Sequence, residues 1–138
     1  MATIRRELRI DRPAGDVWDI VGDAGSIHRW FPGIVACELL DTDAGPVRRV
    51  ELATGLQLDE LIVTNDPIAR RFQYSISGGV FRHHLGTVDV IDLGEDDCLV
   101  VYGTDATPDV MALVIGGATG QALSNLADLV GAPTGGST

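Results

Sequence analysis

Residues 100–131 read "VVYGTDATPDVMALVIGGATGQALSNLADLVG", and the hydrophobic period changes part-way along. Up to Thr107 the chain reads as a strand. Beyond it, apolar residues recur at helical spacing: Met111, Val114, Ile115, Ala118, Ala122, Leu126 and Leu129. Thr107 suits an N-cap, Pro108 the first helical position, and Asp109 the first turn, where a negative charge complements the helix dipole. A strand therefore runs straight into a long helix, the last element of the chain.

Upstream, six short runs form a β-meander: "IVACELLDT", "VRRVELAT", "LQLDELIVT", "RRFQYSIS", "FRHHLGTVDVIDL" and "CLVVYGTDAT". Each is bounded by Gly, Pro, Asn or Asp, the punctuation of antiparallel hairpins. "TIRRELRID" supplies a first strand. "RPAGDVWDIVGD" predicts a short helix with an apolar stripe of Val17, Trp18, Ile20 and Val21, and "AGSIHRW" a second, with Ser26 as its cap. A seven-stranded antiparallel sheet does not bury both faces by itself. The final helix is the one element large enough to cover its concave side, an α+β architecture. The domain is expected to span residues 1–131, with 132–138 a flexible tail.

The 138 residues suffice for one domain. Ten basic against twenty acidic residues give a net charge of −10, which disfavours nucleic acid and anionic lipid as partners. The pairs Arg5-Arg6, Arg48-Arg49 and Arg70-Arg71 read as solvated strand faces or strand ends. No leader-like segment opens the chain and no apolar run approaches the ~20 residues of a bilayer span, so a cytoplasmic protein without stable membrane insertion is expected. Cys37 and Cys98 read as buried free thiols. Oligomeric state stays open between monomer and homodimer.

With this order of elements, three strings carry a family likeness: "RPAGDVWDIVGDAGSIHRWFPGI", "LDELIVTNDPIARRFQYSI" and "VVYGTDATPDVM". The chain resembles the SRPBCC or START-like helix-grip superfamily, which includes birch-pollen-allergen-like proteins and bacterial polyketide cyclases/dehydrases. The likeness covers residues 2 to about 130. It implies a seven-stranded curved antiparallel sheet wrapped around the long helix, two short helices between the first and second strands, and a cavity between sheet and helix. "SIHRWFPG" would then be a wall or gate, with His28, Trp30 and Phe31 touching the ligand, while Trp18 belongs to the core.

Alternation through "HHLGTVDVID" puts His84, Gly86, Val88 and Val90 on one strand face. The resemblance makes this the cavity face, where a neutral imidazole orients a ligand or moves a proton. The same reasoning groups Asp105 with Val101 and Gly103 on the cavity side, so His84 and Asp105 form either an acid/base dyad or a structural pair. The resemblance places Asp59 inward and Glu60 outward, unless the register slips by one across "NDPIA", which would reverse them. Tyr74 offers a hydroxyl, and Met111 and Ile115 line the helix side.

Phosphate loops, Cys-x-x-Cys pairs, HExxH and nucleophile elbows are lacking, and adjacent strand histidines do not chelate one metal. No cofactor or metal is expected. Two functions compete: a cyclase/dehydratase using His84 with Asp105 or Asp59, and a carrier or sensor of a small, largely hydrophobic molecule. A third, weaker reading is a cavity serving protein contacts.

Overall fold

The computed structural model describes residues 1–131; the tail expected at 132–138 lies outside the described residues. Seven strands form one antiparallel sheet: β1 (Ala2–Ile10), β2 (Ile34–Thr42), β3 (Gly45–Leu52), β4 (Gln57–Asp66), β5 (Arg71–Ile76), β6 (His83–Gly94) and β7 (Asp97–Thr107). Their order is β1-β7-β6-β5-β4-β3-β2, so the meander is continuous and β1 closes against the last strand. Helix α1 (Ala14–Val21) and a 3₁₀ helix (Ala24–Arg29) lie between β1 and β2, and helix α2 (Asp109–Gly131) follows β7.

Helix α1 starts after Pro13, which stands just outside it as the N-cap residue. It buries Ala14, Val17, Trp18 and Val21, with the Trp18 ring lying so close to Gly22 that a Cβ there would meet it at 2.7 Å. Ser26 does not cap the 3₁₀ helix. It is buried, and its hydroxyl is 2.8 Å from both the Ile20 and Asp23 carbonyls, tying the 3₁₀ helix to the end of α1. Among the described residues α2 is the one helix long and apolar enough to cross a bilayer by length and composition. It packs on β1 and β7 through Ala112, Gly116, Thr119, Ala122, Leu123 and Leu126, leaving Val110, Leu113 and Val114 exposed. The buried stripe is thus rotated from the expected one, because Gly116 lets the helix approach Ile4.

Two β-bulges set which side chains face inward. Val63 is an extra residue between the pairs Ile62–Tyr74 and Thr64–Gln73. Leu93 is another, between Asp92–Cys98 and Gly94–Asp97. Each reverses the facing of the strand beyond it. The inner face carries Arg48 and Val50 from β3, Leu58 and Glu60 from β4, and Phe72, Tyr74 and Ile76 from β5. It continues with His84 and Val88 from β6, and Val100, Tyr102 and Thr104 from β7. The outer face carries the cross-strand pairs Arg9–Asp97, Arg49–Asp59 and Arg71–Asp89. Cys98 is buried, Cys37 half-buried, and both are free thiols.

Candidate ligand-binding cavity

Between the sheet and the first turns of α2 lies a partly open cavity of about 420 Å³. Ile27, Val50, Leu52, Leu58 and Ile76 make its apolar wall. Its rim is set by Phe31 and Pro32 after the 3₁₀ helix, by Leu56 in the β3–β4 turn, and by Val80 in the β5–β6 loop. Leu56 and Val80 are both more than half exposed, at 56% and 62%. Met111 and Ile115 close the helix side.

One end of this apolar cup is polar. Arg48 and Glu60, on adjacent strands, are buried and joined by a 2.6 Å bond from Nε to Oε1. Arg48 Nη1 also donates to the Ala24 carbonyl at 3.3 Å, and its guanidinium lies over the Phe72 and Tyr74 rings at 4.9 and 4.7 Å. Burial opposes the Arg48 charge, yet Glu60 and the two tyrosines outweigh it and raise its pKa. Burial pushes the Glu60 carboxyl upward, with Arg48 opposing. The Tyr74 and Tyr102 hydroxyls bond each other, and burial drives both phenols to higher pKa.

His84 stands beside this group, 2% exposed, its ring centroid 5.4 Å from that of Tyr74 and 5.0 Å from that of Phe81. The Ile76 backbone N–H donates to His84 Nδ1 at 3.0 Å. Nδ1 therefore holds its lone pair toward that N–H, and the neutral ring carries its proton on Nε2. Burial, with a smaller contribution from His83, lowers the pKa to about 4. Nε2 is buried and has no partner.

His84, Tyr74, Phe31, Met111 and Ile115 line the cavity as the sequence leads one to expect. Other expected residues do not reach it. Asp59 faces outward to Arg49, whose Nε lies 2.8 Å away and holds the carboxyl below its ordinary range. Its place is taken by Glu60, because the Val63 bulge reverses the facing of β4. Asp105 pairs with Leu85 rather than His84 and accepts the Thr3 hydroxyl on the outer face, where Val101 and Gly103 also lie. The Leu93 bulge is the cause.

His28 is exposed, since the 3₁₀ helix turns it to solvent. Trp30 is buried behind the cavity, edge-on to Tyr102 at 6.0 Å. Val88 is on the inner face but lies in the packed core. Gly86 contributes by absence: a Cβ there would meet the Tyr74 ring at 2.5 Å. Arg48 escapes the sequence reading and Glu60 enters it only as the register-slip alternative to Asp59, although apolar neighbours two residues away in "VRRVEL" and "LDELI" mark both as inward. Among the described residues no group of three or more His, Cys, Asp or Glu is arranged to hold a metal ion.

A curved sheet gripping its last helix around a ligand-sized hollow defines a helix-grip protein. The chain belongs to the family described as polyketide cyclase / dehydrase and lipid transport, whose model matches residues 1–131. None of the curated proteins matches it. Among solved structures it is similar to the protein XoxI from Bacillus cereus, at 23% identity and a TM-score of 0.84 over 94% of this chain and 96% of that one. A protein from Thermobifida fusca is 30% identical, with a TM-score of 0.75 over 95% and 94%. The di-domain ARO/CYC BexL from the BE-7585A biosynthetic pathway shares the fold at 19% identity and a TM-score of 0.79, over 96% of this chain and 48% of that one.

Proposed function

We propose that the protein binds a small, largely apolar molecule, of polyketide-, aromatic- or lipid-like character, inside the cavity between sheet and α2. The observation that carries this reading is the cavity itself: about 420 Å³, walled by aliphatic and aromatic side chains, with its polar groups gathered at one end. Such a site desolvates most of a ligand and orients it through a few polar contacts. The family description supports the class of ligand. Two free thiols accord with a cytoplasmic setting.

Titration with N-phenyl-1-naphthylamine, an uncharged fluorophore, tests the reading. Saturable binding of one probe per chain is expected, lost in Ile115→Trp, which fills the cavity, and kept in Val114→Trp, on the exposed face of α2. Absence of saturable binding to the unaltered protein contradicts it.

A catalytic version of the same reading, cyclisation or dehydration by acid/base chemistry, draws support from Glu60, a cavity-lining carboxyl whose pKa burial pushes up. It gives Glu60 the part first expected of Asp59 and Asp105. His84 serves here as a hydrogen-bond donor, since Nδ1 is occupied by a backbone N–H and Nε2 already carries the proton.

A further inference from the structure

Three buried side-chain polar atoms among the described residues have no hydrogen-bond partner: Trp30 Nε1, Thr104 Oγ1 and His84 Nε2. Only His84 belongs to a residue that lines the cavity. A buried donor left unpaired is costly, and such groups in native proteins usually mark a missing partner. The Ile76 N–H on Nδ1 fixes the ring's orientation and its tautomer, so Nε2 is a donor only.

The surroundings narrow what that partner is. Glu60, the carboxylate lining the cavity, is already engaged by Arg48, and the two form a neutral pair overall. The Tyr74–Tyr102 bond uses one of two phenolic protons and leaves the other to donate. The polar end therefore carries no net charge and holds, at His84 Nε2, a donor that no acceptor of the protein meets. A cationic or donor-only ligand offers the imidazole N–H no acceptor. A pure hydrocarbon leaves the imidazole N–H unpaired.

We infer that His84 is a specificity-determining residue whose Nε2–H anchors a carbonyl-type acceptor on an otherwise apolar, uncharged ligand. This rests on the ligand-binding reading above and assigns the chemistry of its polar contact. Because the imidazole is neutral throughout the physiological range, the anchoring holds constant from pH 6 to 8 by the same argument.

The test compares fluorenone with fluorene, which share a tricyclic frame and differ by one carbonyl oxygen. Fluorenone is expected to bind the unaltered protein at least about tenfold more tightly than fluorene, the discrimination typical of a site with a buried donor to satisfy. His84→Phe is expected to bring the two affinities together by weakening fluorenone alone. The carbonyl stretching band of bound fluorenone, read by infrared difference spectroscopy on the unaltered protein, is expected to shift to lower frequency than in hydrocarbon solvent. It needs no variant to fold. Equal affinities for both compounds with an unshifted band overturn the role of His84 while leaving cavity binding intact. Failure of both compounds to bind overturns the ligand-binding reading itself.

Discussion

Burial keeps His84 neutral, and that has a measurable consequence for stability. The unfolded imidazole takes up a proton near its ordinary value of 6.5, the native one only near 4. Between those values the unfolded chain binds more protons, so stability rises with pH across this window and levels off above it. The full effect is about 3 kcal/mol. Subtracting the urea-unfolding free energies of His84→Phe from those of the unaltered protein should isolate this rise; a flat difference from pH 4 to 7 contradicts it. Arg48 and Glu60 make a second case. Removing one partner strands a buried charge, so Arg48→Met is expected to cost about 3–5 kcal/mol, and Arg48→Met with Glu60→Leu considerably less. Urea unfolding of the single and double variants reads the difference. His84 and Phe31 were expected at the cavity because the family resemblance says which strand face and which loop border it, alternation alone fixing only that His83 and His84 point apart. Tyr74 was singled out for its hydroxyl. Arg48 was legible only through its neighbours, and Glu60 only as the register-slip alternative to Asp59, since a charged residue in a strand ordinarily faces water.

At the scale of elements, the bulges explain what periodicity conceals. A strand pattern counted without Leu93 places Val101, Gly103 and Asp105 on the cavity side, and one counted back from β5 without Val63 places Asp59 there. One uncounted residue in each hairpin reverses every side chain beyond it, whereas the existence and order of the strands survive. Glycines separate into two groups by the same geometric logic. In α2 a Cβ on Gly116 would meet Ile4 Cγ1 at 2.7 Å, while Gly117 and Gly120 face open space. Gly117→Ala and Gly120→Ala are therefore expected to stabilise the protein by about 0.5–1 kcal/mol each, and Gly116→Ala to destabilise it. On the sheet, Gly86→Ala is expected to displace Tyr74, costing about 1–3 kcal/mol and weakening probe binding. Thermal melts of the four variants check the ranking.

For the molecule as a whole, the acidic surface and the neutral cavity divide the work. The chain carries a net charge of −10, and its outer sheet face holds exposed cross-strand ion pairs that contribute little to stability. Burial of ions occurs where it positions something: the Arg48–Glu60 pair under the Tyr74 ring, at the polar end of the hollow. The seven-stranded antiparallel sheet and the helix laid across its concave face follow from seven strand-like runs and one long helix-spaced segment, which is why they were readable from the sequence, whereas the closing of β1 on β7 emerges only in the structure. The hollow was expected only through the family resemblance and not from periodicity, because it depends on how closely α2 approaches, and a side chain at Gly116 would collide with Ile4. The most direct measurement is a crystal structure of the protein with 2-bromofluorenone, with the bromine located by its anomalous signal. The account predicts one bromine peak between the sheet and the first turns of α2, and the ketone oxygen about 3 Å from His84 Nε2. A hollow packed solid with side chains, or a ligand seated outside it, contradicts the account.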